Sequence, residues 1–161
     1  ATNLIQLFHP NVVRVMGMCP PPDVRIVMEY IPGGDLSSWL HDARRLLKAG
    51  TTTADVVVGN MMQVLTDVCS GMAYLHSHHF LHCDLKPGNI LVGAHPGDDR
   101  VPQGKVADLG LAVRTDDAGV SLAGQVGGTR GHRAPEVVAH SPTPTIAADV
   151  WSFGVVVASC L

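Results

Sequence analysis

Charge is scarce in this chain. Only 16% of its 161 residues are Asp, Glu, Lys or Arg, and they leave a net charge of −3 at pH 7. That balance excludes the basic footprint of a nucleic-acid binder or of a protein held on an anionic membrane surface. The four cysteines (Cys19, Cys69, Cys83, Cys160) show no C-x-x-C spacing. A disulfide framework is therefore not indicated, and reduced thiols in a cytoplasmic setting are expected. No run approaches the ~18 apolar residues of a membrane span. The longest candidate, residues 150–161, is shorter and interrupted by polar residues. There is no initiator Met and no basic leader, so residues 1–4 read as an internal cut and not as a signal peptide. The last residues form an apolar run with no capping signal. Both ends thus read as cuts in a longer chain. What the sequence does have is hydrophobic residues, 46% of the total, enough for one globular domain with a core.

The pattern along the chain predicts a mixed fold. Leu4, Ile5, Leu7 and Phe8 look like the end of an amphipathic helix stopped before Pro10. Val12, Val13 and Val15 predict a short strand closed by Gly17, and Pro20 to Asp23 a turn. Arg25 to Tyr30 predicts a second strand, ended by Pro32-Gly33-Gly34. Asp35 is placed to cap a helix from Leu36 to about Lys48, with Gly50 near its end. Thr51 to Thr53 form a polar connector. Met61, Leu65, Val68, Met72 and Leu75 recur at four- and three-residue spacing, which predicts one long helix over 59–79. Residues 93–104, rich in Gly, Pro and Asp, predict a long surface turn between two short strands. Between Asp108 and Glu136 periodicity is lost, as in a long functional loop.

The chemistry concentrates in His82-Cys83-Asp84-Leu85-Lys86-Pro87-Gly88-Asn89. An acid, a lysine and an amide stand within eight residues, at the mouth of the apolar run Ile90-Leu91-Val92. Loops that feed strands are where a rigid scaffold can aim reactive groups. The stretch resembles the catalytic loop H-R-D-x-x-x-x-N of protein kinases, with Cys83 where Arg is usual. Further landmarks follow in a fixed order. They are His9-Pro10-Asn11, Met28-Glu29-Tyr30-Ile31, Asp108-Leu109-Gly110, Gly128-Thr129, Ala134-Pro135-Glu136 and Asp149-Val150-Trp151-Ser152-Phe153-Gly154. With these the chain resembles a eukaryotic-type protein kinase over essentially its whole length, leaning toward the serine/threonine-specific, tyrosine-kinase-like group.

The resemblance implies an α+β, two-lobe fold. Residues 1–30 would be the remnant of the sheet-bearing lobe, 31–35 the end of the hinge, and 36–161 most of the helical lobe. It implies transfer of the ATP γ-phosphate to a serine or threonine hydroxyl of a protein substrate. Asp84 matches the aspartate that accepts the hydroxyl proton, and Lys86 the lysine set against the transferring phosphate. Asn89 and Asp108 match the oxygen ligands of Mg²⁺, a hard cation that prefers oxygen. Glu29 and Ile31 match the hinge that holds the adenine edge, Met28 the gatekeeper behind it, and Leu91 the apolar floor beneath the ring. Asp35 matches a ribose contact, and its helix-capping role explains it equally well. Leu4, Val15, His82 and Leu109 match the apolar column between the lobes. Thr129 matches a threonine that bonds the catalytic Asp and Lys, and Asp149 a residue holding the loop from below. Leu109 replaces the usual Phe conservatively. His76, His78, His79 and His82 cluster, but the run matches a helix end and turn facing water better than a zinc site.

A glycine-rich loop and its partner lysine are not in the sequence, and the resemblance puts them before Ala1. The 161 residues by themselves are expected not to turn over ATP. Two alternatives stay open: a pseudokinase that binds or scaffolds, and a dual-specificity or tyrosine kinase, which Lys86 disfavours. Cys83 carries the regulatory expectation. A thiol cannot pair with an activation-loop phosphate as a guanidinium does, although Thr115 and Ser121 are available sites. Phosphatase treatment of the full-length protein should therefore leave its kinase activity within about twofold, and a large loss traced to that loop would refute the reading.

Overall fold

A computed structural model describes residues 4–123, 127–139 and 143–161. Residues 1–3, where the sequence reads as an abrupt start, lie outside the described residues. The architecture is α+β, as expected. A two-stranded antiparallel hairpin, β1 (Val15–Cys19) and β2 (Arg25–Met28), precedes two helices, α1 (Leu36–Lys48) and α2 (Ala54–Ser77). Two further antiparallel pairs follow: β4 (Ile90–His95) with β5 (Asp98–Val106), and the short β3 (Phe80–Leu81) with β6 (Val113–Arg114). A four-residue α3 (Pro135–Val138) and a longer α4 (Ile146–Cys160) end the chain.

Helix α1 starts and stops where its sequence dictates. The Asp35 side chain accepts from the Ser38 amide at 2.9 Å, and Gly50 supplies the left-handed φ of +68° that ends the helix. Leu36, Leu40 and Ala43 form its buried stripe. Helix α2 begins earlier than its periodicity indicated, because Thr53 caps it by accepting from Val56 N. It buries Met61, Val64, Leu65, Val68, Met72 and Leu75, which join Leu7, Val12, Ile90, Val106 and Val156 in one core. By length and composition α2 could cross a bilayer, which corrects the expectation that no segment reaches that length. Its apolar face is the centre of this core, so its hydropathy has a packing explanation.

Four predicted elements shift. Leu4–Gln6 is a single 3-10 turn, with Leu7 buried and Phe8 exposed. Val12 and Val13 leave the first strand and dock on β5 instead. Val13 N donates to Val106 O at 2.7 Å, and Val106 N donates to Asn11 O at 2.9 Å. The second predicted strand stops at Met28, two residues short of Tyr30. The expected long turn over 93–104 is a paired hairpin, in which Gly93 faces Gln103 and Val92 faces Gly104. Only Gly97, at φ +99°, makes the turn. The other glycines of that stretch answer crowding: a Cβ on Gly104 would lie 2.7 Å from Val64 O.

Close approach also governs Gly71 of α2. A Cβ there would run into the Asn11 carbonyl oxygen and lie 3.2 Å from a Val106 methyl. Gly71→Ala must push α2 away from the strand and should lower stability by about 1–3 kcal/mol, read as a reduced urea midpoint. An unchanged midpoint would show that this contact is not tight.

Candidate active site

The polar stretch between β3 and β4 is held from beneath by Asp149 of α4. This carboxylate is 2% exposed and accepts from His82 N at 2.8 Å and Cys83 N at 3.0 Å. Two successive amides can face one carboxylate because Cys83 takes a left-handed conformation, φ +66°. His76 Nε2 lies 2.9 Å from the same carboxylate. His76 is half-buried, so the expectation that it faces water is corrected. The other clustered histidines have separate settings. His78 Nδ1 sits 2.9 Å from Tyr74 O, and His79 Nδ1 lies 3.4 Å from Asp116 O.

His82 is fully buried, and each ring nitrogen has a defined role. Nδ1 accepts from Asp84 N at 3.2 Å, so it carries no proton. Nε2 must therefore donate to Ala107 O at 2.9 Å. The ring is the neutral Nε2–H tautomer, and it ties the Asp84 loop to the residue before Asp108.

Asp84 is almost fully coordinated. Its Oδ1 accepts from Thr129 N at 2.7 Å, and its Oδ2 accepts from Lys86 Nζ at 2.9 Å and Asn89 Nδ2 at 3.1 Å. Lys86 Nζ also donates to Thr129 Oγ1 at 2.7 Å. Burial pushes the Asp84 carboxyl up, but the bonds from Lys86 and Thr129 outweigh it and bring it below the usual carboxylate range. The result is an ionised, preorganised carboxylate beside an ammonium. Asn89 spends its amide nitrogen on Asp84, donating also to Asp84 O at 2.9 Å, and keeps its Oδ1 as an acceptor. Asp108 is exposed at φ +58°, and among the described residues its carboxylate takes only a 3.3 Å bond from Gly110 N. Ala107 N donates to Asn89 O at 2.9 Å, which sets Asn89 and Asp108 on adjoining strand ends. Two hard oxygen donors fit a magnesium-type cation and not a soft metal.

The remaining predicted residues lie along the segment that crosses from β2 to α1. Met28 ends β2 and is half exposed. Glu29 N donates to Arg14 O at 3.0 Å, while its carboxylate takes Arg14 N at 2.8 Å and Lys105 Nζ at 2.8 and 3.0 Å. Ile31 lies against Gly93, whose added Cβ would be 3.1 Å from an Ile31 methyl. Asp35 bridges Leu91, and Val92 N donates to Gly34 O at 2.9 Å. The segment thus docks on β4 beside Leu91. Asp35 caps α1, which establishes one of its two readings. The Glu29–Lys105 ion pair escaped the sequence because nothing in residue spacing links positions 29 and 105.

Thr115 and Ser121 face each other across an isolated bridge and are 6% and 5% exposed. Their availability for phosphorylation is therefore corrected. The lost periodicity of that region hid a closed turn, in which Asp116 Oδ1 accepts from Ala118 N and Val120 N.

The model of the protein kinase domain family matches residues 2–161. The serine/threonine-protein kinase STY46 of Arabidopsis thaliana is 38% identical over 92% of the chain, which covers 23% of that protein. The L-type lectin-domain containing receptor kinase S.1 of the same plant is 34% identical over 94% of the chain and 22% of its own length. The inhibitor of nuclear factor kappa-B kinase subunit alpha of Xenopus tropicalis is 33% identical over 97% of the chain and 20% of its own length. The chain spans between a fifth and a quarter of these curated relatives.

Cys83 has the one thiol inside this site. Burial and then the Asp149 carboxylate push it up to about 12, so the thiol stays protonated at pH 8. A thiol held in its protonated form is a poor nucleophile. In native protein at pH 8, iodoacetamide should label exposed Cys19 at least tenfold faster than Cys83, as read by peptide mass mapping. Comparable rates would contradict the arrangement of the loop.

Proposed function

Because the chain belongs to the protein kinase domain family, we propose that the protein transfers the γ-phosphate of ATP to a serine or threonine hydroxyl of a protein substrate. Use of ATP and a divalent cation is general to the family. The observation that carries the reading is the triple clamp on Asp84 by Thr129, Lys86 and Asn89. Phosphoryl transfer asks a protein for positioning and charge neutralisation more than for covalent chemistry. Asp84 is ionised and fixed, so it orients an incoming hydroxyl and takes up its proton. Lys86 bridges Asp84 and Thr129, and its ammonium is aimed at charge developing on the phosphoryl group.

Asn89 Oδ1 and the Asp108 carboxylate would hold Mg²⁺, which neutralises phosphate charge when bound. Glu29 and Ile31 offer backbone groups to the adenine edge, Met28 closes the space behind it, and Leu91 lies under the ring. Support comes from the docking of this segment on β4 through the Gly34–Val92 bond and the Asp35–Leu91 bridge. In this reading residues 1–30 belong to the sheet-bearing lobe, 31–35 to the hinge and 36–161 to the helical lobe. A cytoplasmic location, or the cytoplasmic side of a membrane, accords with four unbridged cysteines.

In the full-length protein Asp84→Asn should lower kcat by about 10²–10⁴-fold. Acid hydrolysis of labelled substrate should release phosphoserine or phosphothreonine. Wild-type protein that binds ATP but transfers no phosphate would instead make this a pseudokinase, and phosphotyrosine alone would overturn the serine/threonine assignment.

A further inference from the structure

The loop that supplies Thr129 continues as Arg130-Gly131-His132-Arg133. Arg130, Gly131, Arg133 and Val138 line an open cleft of about 380 Å³, within the size range of ligand sites. Arg133 also borders a smaller cavity, about 20 Å³, whose walls include Asp84 and Thr129. The cleft therefore adjoins the place where an acceptor hydroxyl would meet Asp84.

Both arginines lack a counter-charge among the described residues: no ion pair involves either one. The carboxylates bordering the small cavity are committed elsewhere, Asp84 to Lys86, Thr129 and Asn89, and Asp149 to two backbone amides and His76. Glu136, exposed on the adjacent helix, pairs with neither arginine. Arg133 Nε is buried without a hydrogen-bond acceptor among the described residues, a costly state for a charged donor. Two guanidiniums lining one cleft, neither paired with a carboxylate among the described residues, form a receptor for an anionic group, which guanidinium forks bind bidentately.

We infer that Arg130 and Arg133 select protein substrates carrying an anionic side chain close to the acceptor serine or threonine. The chain distance is short. Arg130 directly follows Thr129, whose amide touches Asp84, and an extended peptide advances about 3.3–3.6 Å per residue. The anion therefore lies within about three residues of the acceptor. Its chemistry is shared by Asp or Glu and by a phosphorylated residue left by an earlier kinase. The inference rests on the kinase reading above for the identity of the substrate, but its binding preference can be measured separately.

The test uses full-length protein and a peptide series with Glu, phosphoserine, Gln or Lys at each of the three positions on either side of one acceptor. Binding is read by fluorescence anisotropy with the acceptor changed to Ala, and phosphoryl transfer with the acceptor Ser. At one or more positions the Glu or phosphoserine peptide should bind about tenfold more tightly than the Gln peptide. A phosphoserine preference beyond that for Glu identifies a primed substrate, and equal preference a carboxylate. Arg130→Glu should shift the preference toward the Lys peptide, a gain that misfolding cannot produce, and Arg133→Lys should keep part of the preference for Glu. Equal binding of all four peptides at every position in the wild type overturns the inference, even if all are phosphorylated. Preferential binding without phosphate transfer would keep the cleft and reject the kinase reading.

Discussion

The site hangs on one buried carboxylate. Asp149 is taken out of water at a cost that only good hydrogen bonds offset. It finds them in two consecutive amides of the His82–Cys83 turn and in His76. Those bonds fix the left-handed turn at Cys83, and the turn in turn directs His82 into the core. His82 then passes the constraint on in two directions, through Nδ1 to the amide of Asp84 and through Nε2 to Ala107. The aspartate that matches the family's catalytic base and the strand end that carries Asp108 are thus coupled through one neutral ring. No step of this relay depends on a flexible side chain, which is how a loop can hold charged groups to the accuracy that phosphoryl transfer requires.

Much of this was legible in the sequence, for reasons that differ from residue to residue. Asp35 and Gly50 mark the ends of α1 because capping and left-handed termination are local chemistry. The stripe from Met61 to Leu75 gave α2 because burial of one face imposes a period of 3.6 residues. The partners Asp149 and Thr129 were expected from ordered motifs, and both make the bonds expected of them. Glycine was the misleading signal. In 93–104 it permits close packing against α2 and Ile31 and has little to do with turning, so a hairpin read as a loop. Val12 and Val13 carry strand character but spend it on β5, a choice made by tertiary contact that no local pattern encodes. Arg130 and Arg133 were passed over because their interest lies in the acids that are not near them, which is a property of three-dimensional surroundings.

The ion pair of Glu29 with Lys105 links the segment after β2 to β5. Lys105 belongs to β5, whose neighbour Val106 bonds Asn11 and Val13. Glu29 also accepts from Arg14 N. The segment after β2 is therefore braced on the hairpin β4–β5 from two directions, by charge and by backbone bonding. That hairpin is in turn packed on α2. The small β1–β2 sheet, by contrast, leaves Met16, Met18, Ile26 and Val27 half exposed or more, and α4 leaves Val150 and Trp151 similarly open. The core runs through the helices and β4–β5, and the exposed apolar residues of β1–β2 and of α4 lie at its margins.

The bond between Thr129 N and Asp84 Oδ1 spans 45 positions of sequence. Closing such a loop costs chain entropy that grows only with the logarithm of its length, about 0.6 kcal/mol for each doubling. The geometry at Asp84 is therefore nearly indifferent to how many residues lie between its two halves. Outside Asp108, β6 and the Thr115–Ser121 turn, which are held by their own contacts, the stretch that leaves β5 and returns at Gly128 can lengthen or shorten while the clamp closes at almost the same free energy. Within this chain, segment length there is a variable that evolution can alter without reopening the site.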